Sequence, residues 1–362
     1  MYIYTCLCLF ITRQFTFNLQ YCLSLANLKL KLYNIQIEYN ITCERIKMRC
    51  LFVYNPNSGK SGLVKRINYI IDELKKIYDE VEYKATERKG HAREIARDAC
   101  GKYDYLIVSG GDGTFNEIVN GVAEQENQPI IGYLPSGTVN DISRSLRIPR
   151  KLKKAFRILK ENNVYTHDIF KSNHDYGIYF CGAGAFTSSS YDTTQKNKKF
   201  LGKIAYFFHG MKELFHVTDF DVKISQDGTT LAEDKYIMMI ISNSRSTAGF
   251  ILNSKADLSD GKVDVVLIKR KNSKFINYIS SLLTIAKIFL FDIRSLKDGK
   301  KVTKLSLDDF TIHTSKRLII NVDGEKSSYG NMKFRTIKEG IKVIVPEKTI
   351  KSQEKIKNKS TK

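Results

Sequence analysis

The sequence predicts an α/β protein, in which a doubly wound, parallel sheet is followed by a mainly antiparallel β domain. Three observations carry this. From residue 48 to 149, short apolar runs alternate with helical periods, as βαβ units require. Each apolar run ends in polar or glycine-rich residues, the position at which parallel sheets collect ligands. Beyond Arg150 the pattern changes to short strands separated by turn signals.

Taken in order, the first part has expected strands at 50–54, 81–86, 105–108 and 130–134, and helices at 63–78, 91–100, 114–122 and 141–146. The loops after the strands are Asn55-Pro56-Asn57-Ser58-Gly59, then Thr86, then Gly110-Gly111-Asp112-Gly113-Thr114, then Pro135-Ser136-Gly137-Thr138. Parallel pairing places all four along one sheet edge. In the second part, strands are expected at 177–181, 221–225, 236–242, 263–268, 310–314, 318–322 and 341–345, with helices at 203–215 and 273–291. Asp227-Gly228 is a hairpin signal. The domains are therefore 48–149 and 150–346, the last strand being a candidate to return to the first sheet. The lysine-rich stretch 347–362 has little to bury and is expected to be a disordered tail. Met48 stands just before the first strand, which suggests an authentic start there and a non-native or disordered extension over 1–47.

A chain of 362 residues can build two cores, and a formal charge of +21 suits polyanions or an anionic membrane surface as well as a plain solvated face. Seven cysteines without a CxxC pair fit free thiols in a reducing cytoplasm. The most apolar stretch, 275–291, is interrupted by Lys287 and reads as a buried amphipathic helix rather than a membrane span. The six histidines lack metal-ligand spacing, and GxSxG, HExxH and Cys–His arrangements are missing, which argues against hydrolase chemistries.

The run VYNPNSGKSG ends like a Walker A loop, but Tyr54 stands where that motif needs its first glycine and Pro56 lacks an N–H. The informative motif is Gly110-Gly111-Asp112-Gly113-Thr114. Its glycines admit a phosphate to the backbone, and the following helix N-terminus favours an anion. Asp112 beside phosphates implies an intervening Mg²⁺. In ADLSDGKVD, Asp257 and Asp260 can face one hard cation across a turn, or simply form a solvated acidic turn. VDGE, with Asp323 and Glu325 around a glycine, is by pattern alone a hairpin turn, yet it could bring a carboxylate to the phosphate edge.

GGDGTFNE after an apolar strand, preceded by NPNSG and followed by PSGTVND, resembles the catalytic domain of the diacylglycerol kinase family. GAFTSSSYDTTQ, LGKIAYFFHGM, DLSDGKVDV and NVDGE extend the likeness to soluble bacterial lipid kinases over 48–346. The resemblance implies an NAD kinase/diacylglycerol kinase-like fold. It implies ATP contacts from Asn55, Pro56, Asn57, Ser58, Gly59, Thr86, Gly111, Asp112, Gly113, Thr114, Phe115, Asn116, Glu117 and Thr138. It further implies an aspartate–water–Mg²⁺ network of Asp112 with Asp141 and Asp168, though Asp141 is equally an N-cap and Asp168 an ordinary strand-edge residue. A structural Mg²⁺ on Asp257, Asp260 and the Lys262 carbonyl would be separate. The family places a proton acceptor in VDGE: Glu325 first, Asp323 second. The expected activity is transfer of the ATP γ-phosphoryl group to a lipid hydroxyl, diacylglycerol giving phosphatidic acid. A sphingoid base, phosphatidylglycerol and a non-catalytic nucleotide-binding regulator remain alternatives. The expected setting is cytoplasmic, peripheral on an anionic membrane, without nucleic acid and with scope for a homodimer. Ser188, Ala248-Gly249 and Asn253-Ser254 depart from the family pattern and bear on lipid choice.

Overall fold

The computed structural model describes residues 29–31, 47–58, 64–173, 175–184, 219–247, 249–270, 283–284, 287–288, 292–323 and 325–360; at 64, 294, 316, 325–329 and 360 this covers the backbone alone. The chain divides into the units Met1–Lys47 and Met48–Lys362. The expectation for 1–47 lies almost wholly outside the described residues, as do those for helices at 203–215 and, apart from two short pieces, 273–291.

In the second unit the strands β1 (Arg49–Tyr54), β2 (Glu80–Ala85), β3 (Tyr105–Gly110) and β4 (Ile130–Pro135) pair in parallel in the order β2-β1-β3-β4. Their alternation builds two cores. Leu51, Val53, Leu106 and Val108 face α2 (His91–Ala99) and α3 (Asp112–Val122), whereas Cys50, Phe52 and Ile107 face α1 (Ile67–Lys75) and α5 (Leu152–Glu161). Only β2, at the edge, is largely exposed. The first helix opens with a 3₁₀ turn and stops at Lys75, and α3 starts at Asp112, ahead of the expected Thr114. A short helix α4 (Asp141–Ser145) follows the fourth loop.

The antiparallel half continues the same hydrogen-bonded sheet. It contains β5 (Val164–Ser172), β6 (Asp175–Gly177), β7 (Phe180–Gly184), β8 (Phe220–Gln226), β9 (Thr229–Ser242), β10 (Ser246–Thr247) with β11 (Phe250–Ile251) as a separate pair, β12 (Val263–Lys269), β13 (Val302–Leu307), β14 (Asp309–Val322) and β15 (Glu325–Ile344). The runs expected at 310–314 and 318–322 form one strand, β14, whose register against β15 shifts between His313 and Leu318. Residues of β12 are buried on both sides: Val263, Val265 and Leu267 on one, Val266 and Ile268 on the other. The end of β15 pairs in parallel with β4 through Val343 and Ile131 and antiparallel with β5. Asp227 and Gly228 both take positive φ (49° and 76°) between paired Gln226 and Thr229, as a two-residue hairpin of this hand needs.

The tail expectation is corrected. Glu347–Ser360 is a helix, α6, because positions 349, 350, 353 and 356 recur at helical spacing on one side: Thr349 and Gln353 are buried, and Ile350 and Ile356 are half-buried. The Thr349 hydroxyl donates to the Leu146 carbonyl at 2.6 Å, capping α4 from outside. Among the described residues, no helix is long and apolar enough to cross a membrane.

The two halves are fastened by Asp323. It occupies the two-residue turn between β14 and β15, closed by Val322 opposite Glu325, with φ 49°. Its buried carboxylate accepts from the N–H groups of Ile178 (2.6 Å), Tyr179 (3.2 Å) and Phe180 (2.8 Å) and from Asn116 Nδ2 on α3 (2.8 Å). Asp323→Asn presents an NH₂ where two of these donors need an acceptor, so two are orphaned. A loss of about 1–3 kcal/mol is expected, read as a lower urea midpoint; an unchanged midpoint would contradict the fastening role.

Candidate active site

Three loop ends meet at the edge that the parallel order predicts, and hydrogen bonds lock them together. Asn55 N–H donates to the Ser109 carbonyl at 2.9 Å, and its Nδ2 to Thr114 Oγ1 at 3.2 Å. The N–H groups of Ser136 and Gly137 donate to the Gly110 carbonyl at 2.9 and 3.2 Å. The strand β2 joins through Thr86 N–H, which donates to the Tyr54 carbonyl at 2.8 Å. Gly137 is needed for contact: a Cβ there would stand 2.5 Å from Gly111 Cα and 2.6 Å from Asn140 Oδ1.

A cavity of about 480 Å³ opens over these loops. Of the sequence-predicted contacts it is lined by Asn55, Asn57, Ser58, Thr86, Gly111, Gly113, Thr114, Glu117 and Thr138. Gly137 of the fourth loop also lines it, as do Glu87, Arg88 and Lys89, which were unanticipated because nothing in their local pattern marks them. Gly59 lies outside the described residues. Pro56 shares its loop without lining the cavity. Two expected contacts are corrected. Phe115 is fully buried against Tyr133, ring centroids 4.7 Å apart, because the helix turns it into the core. Asn116 instead binds Asp323 and the Tyr176 carbonyl.

The electrostatics favour an anion at one place. Glu117 accepts from Gly90 N–H (2.9 Å) and Ala92 N–H (3.2 Å), satisfying the start of α2. Hydroxyls, the first turn of α3 and the cations of Arg88 and Lys89 are what the cavity offers a ligand. Arg88 already holds Glu94 through its two terminal guanidinium nitrogens, at 2.9 and 2.6 Å. The Nδ1 of His91 accepts from Glu87 N–H at 3.2 Å, bracing the loop.

Asp112 is set behind the cavity, where Ile142 N–H at the start of α4 donates to it at 3.1 Å. Burial is the main reason its carboxyl lies above the usual range, and the charge of Asp141 adds to it. Asp141, also buried, accepts from Ser246 Oγ (2.7 Å) and Gly249 N–H (2.8 Å), a bond to the second half as well as a place at the helix start. The Asn116–Asp323 bond sets the VDGE turn against the helix that begins at Asp112, about 6 Å along its axis. Asp323 itself has no free oxygen for substrate, and burial lifts it to about 7 against the pull of its N–H donors. The Glu325 backbone opens β15 beside this turn, and its side chain lies outside the described residues.

Asp168 does not join Asp112. It accepts from Gly261 N–H (2.6 Å) and Glu339 N–H (2.7 Å), because β5 runs beneath the ADLSDG loop. There Asp257, Asp260 and Asp264 line a second cavity, of about 310 Å³, with Asn253, Lys255 and Lys304. Asp257 and Asp260 accept from Ser259 and Lys262 N–H at 3.1 and 2.9 Å. Burial, with the neighbouring aspartates, lifts Asp260 to about 6. Asn253 donates to Asp264 at 2.6 Å, leaving its buried Oδ1 without a partner. Among the described residues no three acidic, His or Cys side chains are gathered tightly enough to hold a metal alone. The oxygen-only donor set with an orphaned amide oxygen nevertheless fits a hard cation completed by backbone oxygen and water.

Gly137→Ala should lower stability by about 1–3 kcal/mol through overpacking. Gly113→Ala, in a helix with nothing within 4 Å of its Cβ, should be neutral or gain up to about 1 kcal/mol. Thermal melts of the two variants check this, and equal losses would refute the loop-contact argument.

The family model described as diacylglycerol kinase catalytic domain matches residues 49–172, and that described as YegS C-terminal NAD kinase beta sandwich-like domain matches 181–345. The chain is 32% identical over 313 residues to a diacylglycerol kinase of Staphylococcus carnosus (strain TM300), covering 86% of this chain and 99% of that one. It is 32% identical over 311 residues to a diacylglycerol kinase of Staphylococcus saprophyticus subsp. saprophyticus, covering 85% and 99%. A solved diacylglycerol kinase from Bacillus anthracis str. Sterne shares the fold with a TM-score of 0.67 at 21% identity, covering 84% of this chain and 100% of that one. With three loop ends gathered at one edge, two family models matching 49–172 and 181–345 in order and 32% identity to a relative over 86% of its own length, the chain belongs to the diacylglycerol kinase family.

Proposed function

We propose that the chain is an ATP- and Mg²⁺-dependent lipid kinase that converts diacylglycerol to phosphatidic acid. The observation that carries this reading is the Asn116–Asp323 bond, which joins the glycine-rich phosphate edge to the VDGE turn of the other half. The names of the relatives support the acceptor class.

In this reading the nucleotide phosphates lie over Ser58, Gly111, Gly113 and Thr114, held by backbone N–H and hydroxyl groups. Asp112 and Asp141 would hold the catalytic Mg²⁺ through water; when bound, it neutralises phosphate charge. The lipid hydroxyl oxygen forms a bond to the γ-phosphorus, the bond from that phosphorus to the bridging oxygen breaks, and ADP departs. Glu325 takes the hydroxyl proton during attack. Asp323 positions the turn rather than accepting a proton, since each oxygen already receives two N–H groups. A second, structural Mg²⁺ would be held by Asp257, Asp260 and the Lys262 carbonyl. The excess of basic side chains supports approach to an anionic bilayer, an attraction that weakens with salt.

Labelled ATP, Mg²⁺ and mixed micelles of diacylglycerol, sphingoid base and phosphatidylglycerol are expected to label the diacylglycerol. Label in another lipid alone would reassign the acceptor, and none in any lipid would refute kinase action. Glu325→Gln should cut turnover by at least about 100-fold with ADP affinity retained; wild-type turnover would remove the proposed base. Asp257→Ala or Asp260→Ala should abolish the rise in Tm that Mg²⁺ gives the parent protein. Equal Tm for the parent with and without Mg²⁺ would overturn the structural site.

A further inference from the structure

The C-terminal helix grips the acidic loop through one side chain. Gln353 is buried, and its amide makes a double pairing with the loop backbone: Leu258 N–H donates to Oε1 at 3.0 Å, and Nε2 donates to the Ala256 carbonyl at 3.1 Å. The Tyr165 hydroxyl completes the contact, 2.8 Å from Ser259 Oγ and donating to Gln353 Oε1 at 3.4 Å. On its other side the loop rests on Asp168, whose N–H donates to the Leu258 carbonyl at 2.9 Å and whose carboxylate takes Gly261 N–H. Residues 256–261 are thus clasped between a fixed strand and a helix. The helix is the removable half of that clasp, since among its described side chains only Thr349 and Gln353 are buried.

The chemistry of Gln353 suits the position. A carboxylate would add charge to a corner that already crowds Asp257, Asp260 and Asp264, and an ammonium could not accept from Leu258 N–H. A neutral amide offers one donor and one acceptor, as a neighbouring strand would. Ile356, three residues further on, lines the same cavity as those aspartates.

We propose that α6 is a clamp on the cation loop, with Gln353 the positioning residue that sets Asp257 and Asp260 toward one shared cavity. This rests on the structural cation site proposed above. Holding the carboxylates together without a cation is unfavourable, so the docked helix raises cation affinity and the cation, reciprocally, favours docking. The helix expected to be a disordered tail becomes part of the site's construction.

Hydrogen exchange read by mass spectrometry on the full chain, in Mg²⁺ or in chelator, tests this. Mg²⁺ alone is expected to slow exchange over 256–262 and over 347–360 together. In Gln353→Leu, the Mg²⁺ concentration giving half-maximal protection of 256–262 should rise roughly tenfold, the loss expected for a deleted pair of buried hydrogen bonds. Gln353→Glu, which keeps the acceptor for Leu258, should fall between. Loop protection without any change in the helix, or a parental Mg²⁺ midpoint in Gln353→Leu, overturns the clamp while sparing the cation site. No Mg²⁺ response in either segment of the parent overturns both. Since the parent experiment needs no variant, poor folding of Gln353→Leu leaves the test standing.

Discussion

The carboxylate of Asp323 is the constraint on which the arrangement rests. A buried charge is costly unless it is fully hydrogen-bonded, and this one takes four N–H groups drawn from two separate places: the backbone at 178–180 and the side chain of Asn116. Those partners belong to opposite halves of the fold. Satisfying one aspartate therefore fixes how the tip of the β14–β15 hairpin sits on α3, and α3 begins at the glycine-rich edge. The left-handed φ of Asp323 makes the turn tight enough for its side chain to fold back.

The parallel half was legible because local signals and global fold agree. Each apolar run has the length of a buried strand, and each loop carries glycine where backbones touch; Gly111 and Gly137 are pressed together across two loops. The antiparallel half was less so. The strand β5 carries Thr166, His167 and Asp168 among its apolar residues, so no clean alternation announces it, and His167 is accommodated neutral, burial lowering it to about 4. The strand β14 contains Thr314, Ser315, Lys316 and Arg317, which read as a break but are absorbed as a register shift. The helix α6 has a sparse apolar face, and its docking depends on polar contacts to segments far away in sequence.

The site residues divide the same way. Loop positions that line the cavity, such as Asn55, Asn57, Ser58, Gly111, Gly113, Thr114 and Thr138, follow from strand order and glycine placement. Side-chain roles do not. Phe115, Asn116 and Glu117 are consecutive on one helix, yet one enters the core, one ties down the hairpin and one caps α2. Helical geometry separates neighbours by about 100°, so a shared motif cannot give them a shared task.

Two acidic centres emerge where three aspartates suggested a single network. Asp112 and Asp141 crowd where α3 and α4 begin, and Asp168, Asp257, Asp260 and Asp264 crowd around the loop at 256–262. In each, burial raises a carboxyl, a neighbouring aspartate adds to the rise, and backbone N–H groups pull it down. Backbone dipoles can orient a carboxylate but cannot cancel its charge, so like charges at close range remain only partly compensated. Polyphosphate at the first centre would deepen the deficit. A divalent cation would relieve it at both, which is the physical sense in which glycine-rich loops and buried aspartates suit one another.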